Sequence, residues 1–202
     1  MKYQDQSYYH VYNRGAHKEN IFYSDDHYLR CLDLLEKYSQ KYSVSIIAYC
    51  LMPNHYHLVI RQNENGSISR CIQTTFNAYS QTVNLIEQQS GTLFQGKAKA
   101  KQIDSESSLI QVIRYVHLNP VRAGIVQRPE DWHFSDYRNW ILSPSDDLGL
   151  PSEGHGRSEL TFGRLSMRET YFANAEDYKQ FVEEYQTMQK ENDLQKFLFD
   201  EK

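Results

Sequence analysis

Residues 44–61, VSIIAYCLMPNHYHLVIR, restrict what this chain can fold into more than any other stretch. Residues 44–52 are almost continuously apolar, the pattern of a central strand buried on both faces. Pro53-Asn54 interrupts the run, because proline cannot donate to a ladder and asparagine suits a turn. Residues 55–61 alternate and predict a second strand, so the two form a hairpin. Side chains two apart on a strand share a face, about 7 Å apart. His55 and His57 therefore face one way, and Tyr56, Leu58 and Ile60 face the other, toward a core. Two neutral imidazoles placed like this can reach one divalent metal and leave positions open for substrate oxygens. Two structural or surface histidines give the same H-x-H, and the residues alone leave both readings open.

The rest of the chain supplies partners for the hairpin. YYHVYNR at residues 8–14 is aromatic and β-branched and predicts a first strand ending at Gly15. Tyr28, Cys31, Leu32, Leu35 and Tyr38 recur at helical spacing over residues 25–42. The same period runs through Ile68, Cys71, Ile72, Thr75, Phe76, Tyr79 and Val83, predicting a helix over 67–89 stopped by Gly91. Residues 93–103 predict a fourth strand. A third helix is capped by Asp104 or Ser105 and ends before Pro120. The first six elements run β-α-β-β-α-β, the order of an α+β, ferredoxin-like antiparallel sheet with helices on one face. Residues 143–158 are rich in Ser, Pro, Gly and Asp and read as a linker. Residues 175–188 form an amphipathic helix with Tyr178, Phe181, Val182, Tyr185 and Met188 on one stripe, suited to packing back on the domain. The division is a domain over 1–140 and a linker with a helical extension over 141–202.

The third helix carries the second candidate. Leu109, Ile110, Val112, Ile113 and Val116 make its core stripe, and Tyr115 falls well off it. Asn119 lies one turn beyond Tyr115 on the same line, so both side chains can be offered to one site. A tyrosine hydroxyl attacking a phosphodiester forms a phosphotyrosine, which conserves the bond for rejoining. A partly exposed tyrosine that packs by its ring fits the helix equally well. Lys97, Lys99 and Lys101 alternate along the fourth strand and form a stripe able to track phosphates, or the lysine guard of an edge strand. Arg14, Arg114 and Arg122 flank these elements, each able to hold a phosphate or simply to stay solvated. His10 on the first strand is either structural or lines the site.

Composition narrows the class. The net charge of −4 separates this chain from proteins that coat DNA along its length. An enzyme that binds DNA in one groove needs only a local basic patch. No apolar run reaches the length of a membrane span, and the N-terminus has no apolar stretch of a signal peptide. Cys31, Cys50 and Cys71 are far apart and odd in number, which reads as reduced thiols in a cytoplasmic protein.

Taken together the segments resemble the single-tyrosine HUH transposases, and within them the REP-associated tyrosine transposases. MPNHYHLVI (52–60) is similar to the family's MPNHxH signature, and RYVHLNPVRAGIV (114–126) to its Tyr-x-x-x-Asn-Pro-Val-Arg-Ala-Gly stretch. YHVYNRG (9–15), LFQGKAKAKQI (93–103) and WHFSDYRNW (132–140) resemble its first strand, a later strand and the segment that closes the domain. The resemblance spans residues 7–140. It implies His55 and His57 as ligands of a divalent metal, Mg2+ or Mn2+, with Asn119 as third ligand or orienting amide and Tyr115 as nucleophile. It implies a substrate of single-stranded DNA carrying a hairpin, cleaved and rejoined through a 5′-phosphotyrosine. A phosphodiesterase using water, and a hairpin-binding protein without cleavage, are the alternatives. Relatives act as monomers or homodimers, and the C-terminal segment favours a monomer.

Overall fold

The computed structural model describes residues 2–141 and 164–188. Strands β1 (Tyr8–Arg14), β2 (Val44–Met52), β3 (His55–Gln62) and β4 (Lys99–Ile103) form one antiparallel sheet in the order β2-β3-β1-β4. Helices α1 (Asp25–Lys41) and α2 (Ile68–Ile86) join these strands as the split βαβ order expects. They pack together on one face, over a core that includes Tyr9, Val11, Leu51, Tyr56, Leu58 and Ile60. Tyr56 is fully buried there, stacked on Phe76 with ring centroids 4.0 Å apart.

The opposite face is covered by α3 (Glu106–Arg122), α4 (Tyr137–Ile141) and α6 (Ala175–Met188), with α5 (Arg164–Tyr171) packed on α4. The amphipathic stripe of α6 does pack back on the domain: Tyr178 and Val182 are fully buried, with Phe181 and Tyr185 against the same core. The side chain of Met188 and the 143–158 segment lie outside the described residues.

Three expectations change. The first concerns β2, which is an edge strand rather than a central one. Its apolar run still makes sense, because its outer edge is sealed by residues 132–136 instead of water. Leu51 N–H donates to the Phe134 carbonyl (2.9 Å), Asp136 N–H to the Tyr49 carbonyl (3.2 Å), and Trp132 Nε1 to the Leu51 carbonyl (2.9 Å). Over residues 49–51 the edge is thereby closed to pairing with another chain.

The second concerns β4, which starts at Lys99, not at residue 93. Residues 93–95 do pair beside the end of β1, through Ala16 N–H to the Leu93 carbonyl (3.0 Å) and Gln95 N–H to the Arg14 carbonyl (2.9 Å). The ladder then breaks, because the Asn13 side chain takes the Gly96 carbonyl (2.9 Å). On its other side Gly15 lets the following turn fold close; a Cβ there would collide with the Glu19 carbonyl oxygen.

The third concerns α3, which runs through Pro120 to Arg122 instead of stopping before it. Pro120 has no N–H to donate, but it stands near the end of the helix, which resumes with Ala123 N–H on the Asn119 carbonyl (2.9 Å). Gly124, in the left-handed region at φ 68°, ends it. Asn119 and Arg122 thus stay on the same rigid element as Tyr115.

Candidate active site

Cross-strand register puts the chemistry-bearing residues on the α3 face of the sheet. His57 on β3 lies opposite Tyr12 on β1, which lies opposite Lys99 on β4. Arg14 is paired with His55, and Lys101 with His10. Residues paired in this way project to the same side. His10, Tyr12, His55, His57, Lys99 and Lys101 therefore share one face, the one covered by α3.

The two histidines come together as the hairpin predicted, with ring centroids 5.1 Å apart and planes at 87°. His57 is fully buried and His55 half-buried. Each has its Nδ1 engaged: His55 Nδ1 lies 2.6 Å from Asn54 Oδ1, and His57 Nδ1 lies 2.9 Å from His10 Nε2. Desolvation pushes the His55 imidazole down to about 4, with Arg14 adding to the depression and a hydrogen bond to Asn119 opposing it. His57 is held well below its ordinary value by burial and by His10 and His55 beside it. Both rings are neutral near pH 7, the form in which imidazole binds metals.

Helix α3 brings Tyr115 and Asn119 to the same place. The Tyr115 ring meets His57 edge-on at 5.4 Å between centroids, and His10 at 6.0 Å. Asn119 hydrogen-bonds to His55, and its Nδ2 donates to the Tyr115 carbonyl at 3.0 Å. Tyr115 does lie off the Leu109–Val116 stripe, yet it is only 5% exposed, so the expected choice between core stripe and solvent was too simple. Every residue from 112 to 120 is buried, because α3 is covered on its outer side as well.

That outer cover is a polar network. His117, fully buried, places Nδ1 2.6 Å from the Tyr178 hydroxyl and Nε2 3.1 Å from Asp136 Oδ1. Asp136 also accepts from the Tyr49 N–H (2.6 Å) and from Trp140 Nε1 (3.2 Å). The helix that carries Tyr115 is thereby tied to β2, α4 and α6.

Residues 3–119 match the family described as "Transposase IS200 like". The chain belongs to the IS200-like transposase family. A solved structure titled "Structure of the REP associates tyrosine transposase bound to a REP hairpin" is similar in fold, with a TM-score of 0.60 and 17% identity, over 76% of this chain and 94% of that one. A second, "Crystal structure of a putative transposase from deinococcus radiodurans r1", matches 57% of this chain and 92% of its own at 15% identity, with a TM-score of 0.41. No curated protein matches.

The candidate DNA-binding cations fall into two groups. Arg122 sits at the site, its guanidinium carbon 5.6 Å from the centre of the Tyr115 ring. Arg14 donates through Nε to Gln95 Oε1 (2.5 Å) at the end of β1. Lys99 and Lys101 lie on β4, but Lys97 falls in the irregular segment before it, so the three-lysine stripe is a two-lysine one. Arg114 is placed differently from the expectation. Its guanidinium is sandwiched by Phe181 and Tyr185 at 4.2 and 4.0 Å and donates to the Phe181 carbonyl (3.2 Å) and to Gln111. It fastens α6 to α3, a use of arginine as a stacking plane.

In the sequence the role of His10 is open, Asn54 is only a turn residue, and nothing marks His117, Asp136 and Tyr178 as a network. The contact of His10 with His57 follows once the β1–β3 register is known. The network joins residues far apart in the chain, and no local pattern marks it.

Proposed function

We propose that this transposase cleaves and rejoins single-stranded DNA beside a hairpin, with Tyr115 as nucleophile and His55, His57 and Asn119 as the ligands of a divalent cation. The observation that carries the reading is the convergence of Tyr115 on His57 from a different element, at 5.4 Å between rings, with Asn119 on His55. Among the described residues no cluster of three or more His, Cys, Asp or Glu is set for a metal. The candidate donors are two imidazoles and a carboxamide, and they fit a cation that keeps open positions. With Nδ1 engaged in both rings, the ligating atoms would be the Nε2 nitrogens. Imidazole nitrogen favours Mn2+ over the harder Mg2+. When bound, the cation polarises phosphate oxygens.

The chain's own residues do the rest. The Tyr115 oxygen attacks phosphorus and loses its proton, the bond from phosphorus to the 3′ oxygen breaks, and that oxygen leaves as a 3′-hydroxyl once protonated. The DNA is then held as a 5′-phosphotyrosine, and a 3′-hydroxyl attacking the same phosphorus restores the phenol and reseals the strand. Arg122 beside the ring, and Lys99, Lys101 and Arg14 on the same side of the sheet, offer positive charge to the DNA backbone. A hairpin as substrate is supported by the fold it shares with the transposase solved on a REP hairpin. The outer network and α6 hold α3 against its own sheet, which supports a tyrosine acting in cis within a monomer.

The test is a labelled hairpin oligonucleotide with a single-stranded flank, incubated with Mn2+ and resolved under denaturing conditions. Wild type gives a covalent adduct and Tyr115→Phe gives none. An adduct from Tyr115→Phe removes the nucleophile assignment, and cleavage by Tyr115→Phe without adduct points to water as the nucleophile.

A further inference from the structure

We propose that His10 is a positioning residue for the metal half of the site, fixing the tautomer of His57 through the Nε2–Nδ1 hydrogen bond between the two rings. The proposal rests on the reading of His57 as a metal ligand. Both rings are fully buried, and the nitrogens lie 2.9 Å apart with the rings stacked at 5.1 Å and 22°. A neutral imidazole carries one N–H and one lone pair, so the bond has two possible senses. Only one suits a ligand. If His57 is to present the Nε2 lone pair, its proton must sit on Nδ1, and His10 Nε2 must be the acceptor. The proton of His10 then sits on its own Nδ1.

Two further observations support this. His55 has the same arrangement in a simpler form, since its Nδ1 faces Asn54 Oδ1 at 2.6 Å and an amide oxygen can only accept. Both members of the pair are thus braced on the same ring nitrogen, one by the turn residue before β3 and one by the neighbouring strand. Bracing of that kind holds ring orientation and raises ligand basicity. Second, His10 Nδ1 is buried without a hydrogen-bond partner among the described residues. A residue present only to fill space would avoid that penalty by being leucine or phenylalanine.

The test compares wild type, His10→Leu and His10→Gln in the full chain, titrating Mn2+ by calorimetry and following unfolding separately. His10→Leu is expected to weaken Mn2+ binding by about 10–100-fold. His10→Gln, whose amide oxygen can accept from His57 Nδ1, is expected to restore most of it. A structural role alone predicts lower unfolding temperatures with unchanged Mn2+ affinity in the folded variants, and that result overturns the proposal. So does a His10→Gln variant as weak as His10→Leu. A third measurement needs no variant: long-range proton–nitrogen NMR of the Mg2+-loaded wild type should place the His57 proton on Nδ1, and a proton on Nε2 overturns the assignment. Wild type that binds neither cation removes the metal reading itself, a failure seen before any variant is made.

Discussion

The two halves of the site are held by opposite means. The histidine half is built into the sheet: β3 is paired on both sides, to β1 and to β2, and His55 and His57 sit two residues apart on it. The tyrosine half rides on one helix, laid across the sheet by apolar contacts and fixed from behind by His117, Asp136 and Tyr178. One half is a local consequence of strand geometry. The other depends on residues of a different segment closing over α3. The two histidines should therefore tolerate damage to the C-terminal part of the chain, whereas Tyr115 and the third ligand Asn119, which share α3, should not.

The largest effect divides the halves chemically. Tyr115→Phe should abolish adduct formation, because no phenol oxygen is left to bond phosphorus, while leaving Mn2+ affinity within error by calorimetry. His57→Ala should abolish both. A Tyr115→Phe variant that also loses Mn2+ would mean the halves are one unit.

Next comes the brace behind the helix. Asp136→Ala leaves the Tyr49 N–H, the Trp140 indole N–H and a ring nitrogen of His117 without their acceptor in a buried place. At about 1–3 kcal/mol for each buried group, the loss of stability should reach at least about 3 kcal/mol in denaturant unfolding. Tyr178→Phe, which removes one hydroxyl, should cost about 1 kcal/mol and keep α6 packed. In both folded variants adduct yield should fall further than Mn2+ affinity does. Equal falls would show that the brace supports the sheet side as well.

The same contrast explains what could be read from the chain beforehand. The split βαβ order, both strands of the hairpin and the shared face of His55 and His57 follow from periods of two and 3.6 residues, which are local. Tyr115 and Asn119 follow as helix neighbours, but their meeting with the histidines needs α3 to lie across a particular face of the sheet. Two of the expectations for strands failed at edges. The apolar run of β2 looked central because residues 132–136 seal it, and β4 looked longer because the pairing of residues 93–95 breaks only when Asn13 takes the Gly96 carbonyl. Arg114 looked like a phosphate contact because nothing near it in the chain announces Phe181 and Tyr185.

Acid should strain the histidine half first. Burial pushes His10 down to about 3 and His55 to about 4, from an ordinary 6.5. The unfolded chain therefore binds more protons than the folded one between these values and 6.5. Stability is fully present above 6.5 and falls as pH drops through this window, by about 1.4 kcal/mol per pH unit for each such histidine. Unfolding midpoints of His10→Gln should show a shallower acid slope than wild type. Mn2+ affinity should meanwhile stay nearly flat from pH 7.5 to about 5.5, because the ligands are already neutral. A steep loss of affinity near 6.5 would show histidines that titrate as if exposed.

The smallest effects decide which cations meet DNA. Lys99→Ala and Lys101→Ala should each make the salt dependence of single-strand binding shallower by about 0.7 in the log–log slope, if each neutralises one phosphate. Arg114→Ala should leave that slope unchanged. Its guanidinium is already sandwiched at 4.2 and 4.0 Å and hydrogen-bonded, so the loss should appear as about 1–2 kcal/mol of stability through α6. Because α6 also carries Tyr178, the loosened helix should then lower adduct yield through the brace, and Mn2+ affinity less, since only Asn119 of the three ligands rides on α3. A lowered salt slope for Arg114→Ala would instead place the arginine on the DNA path, and α6 with it.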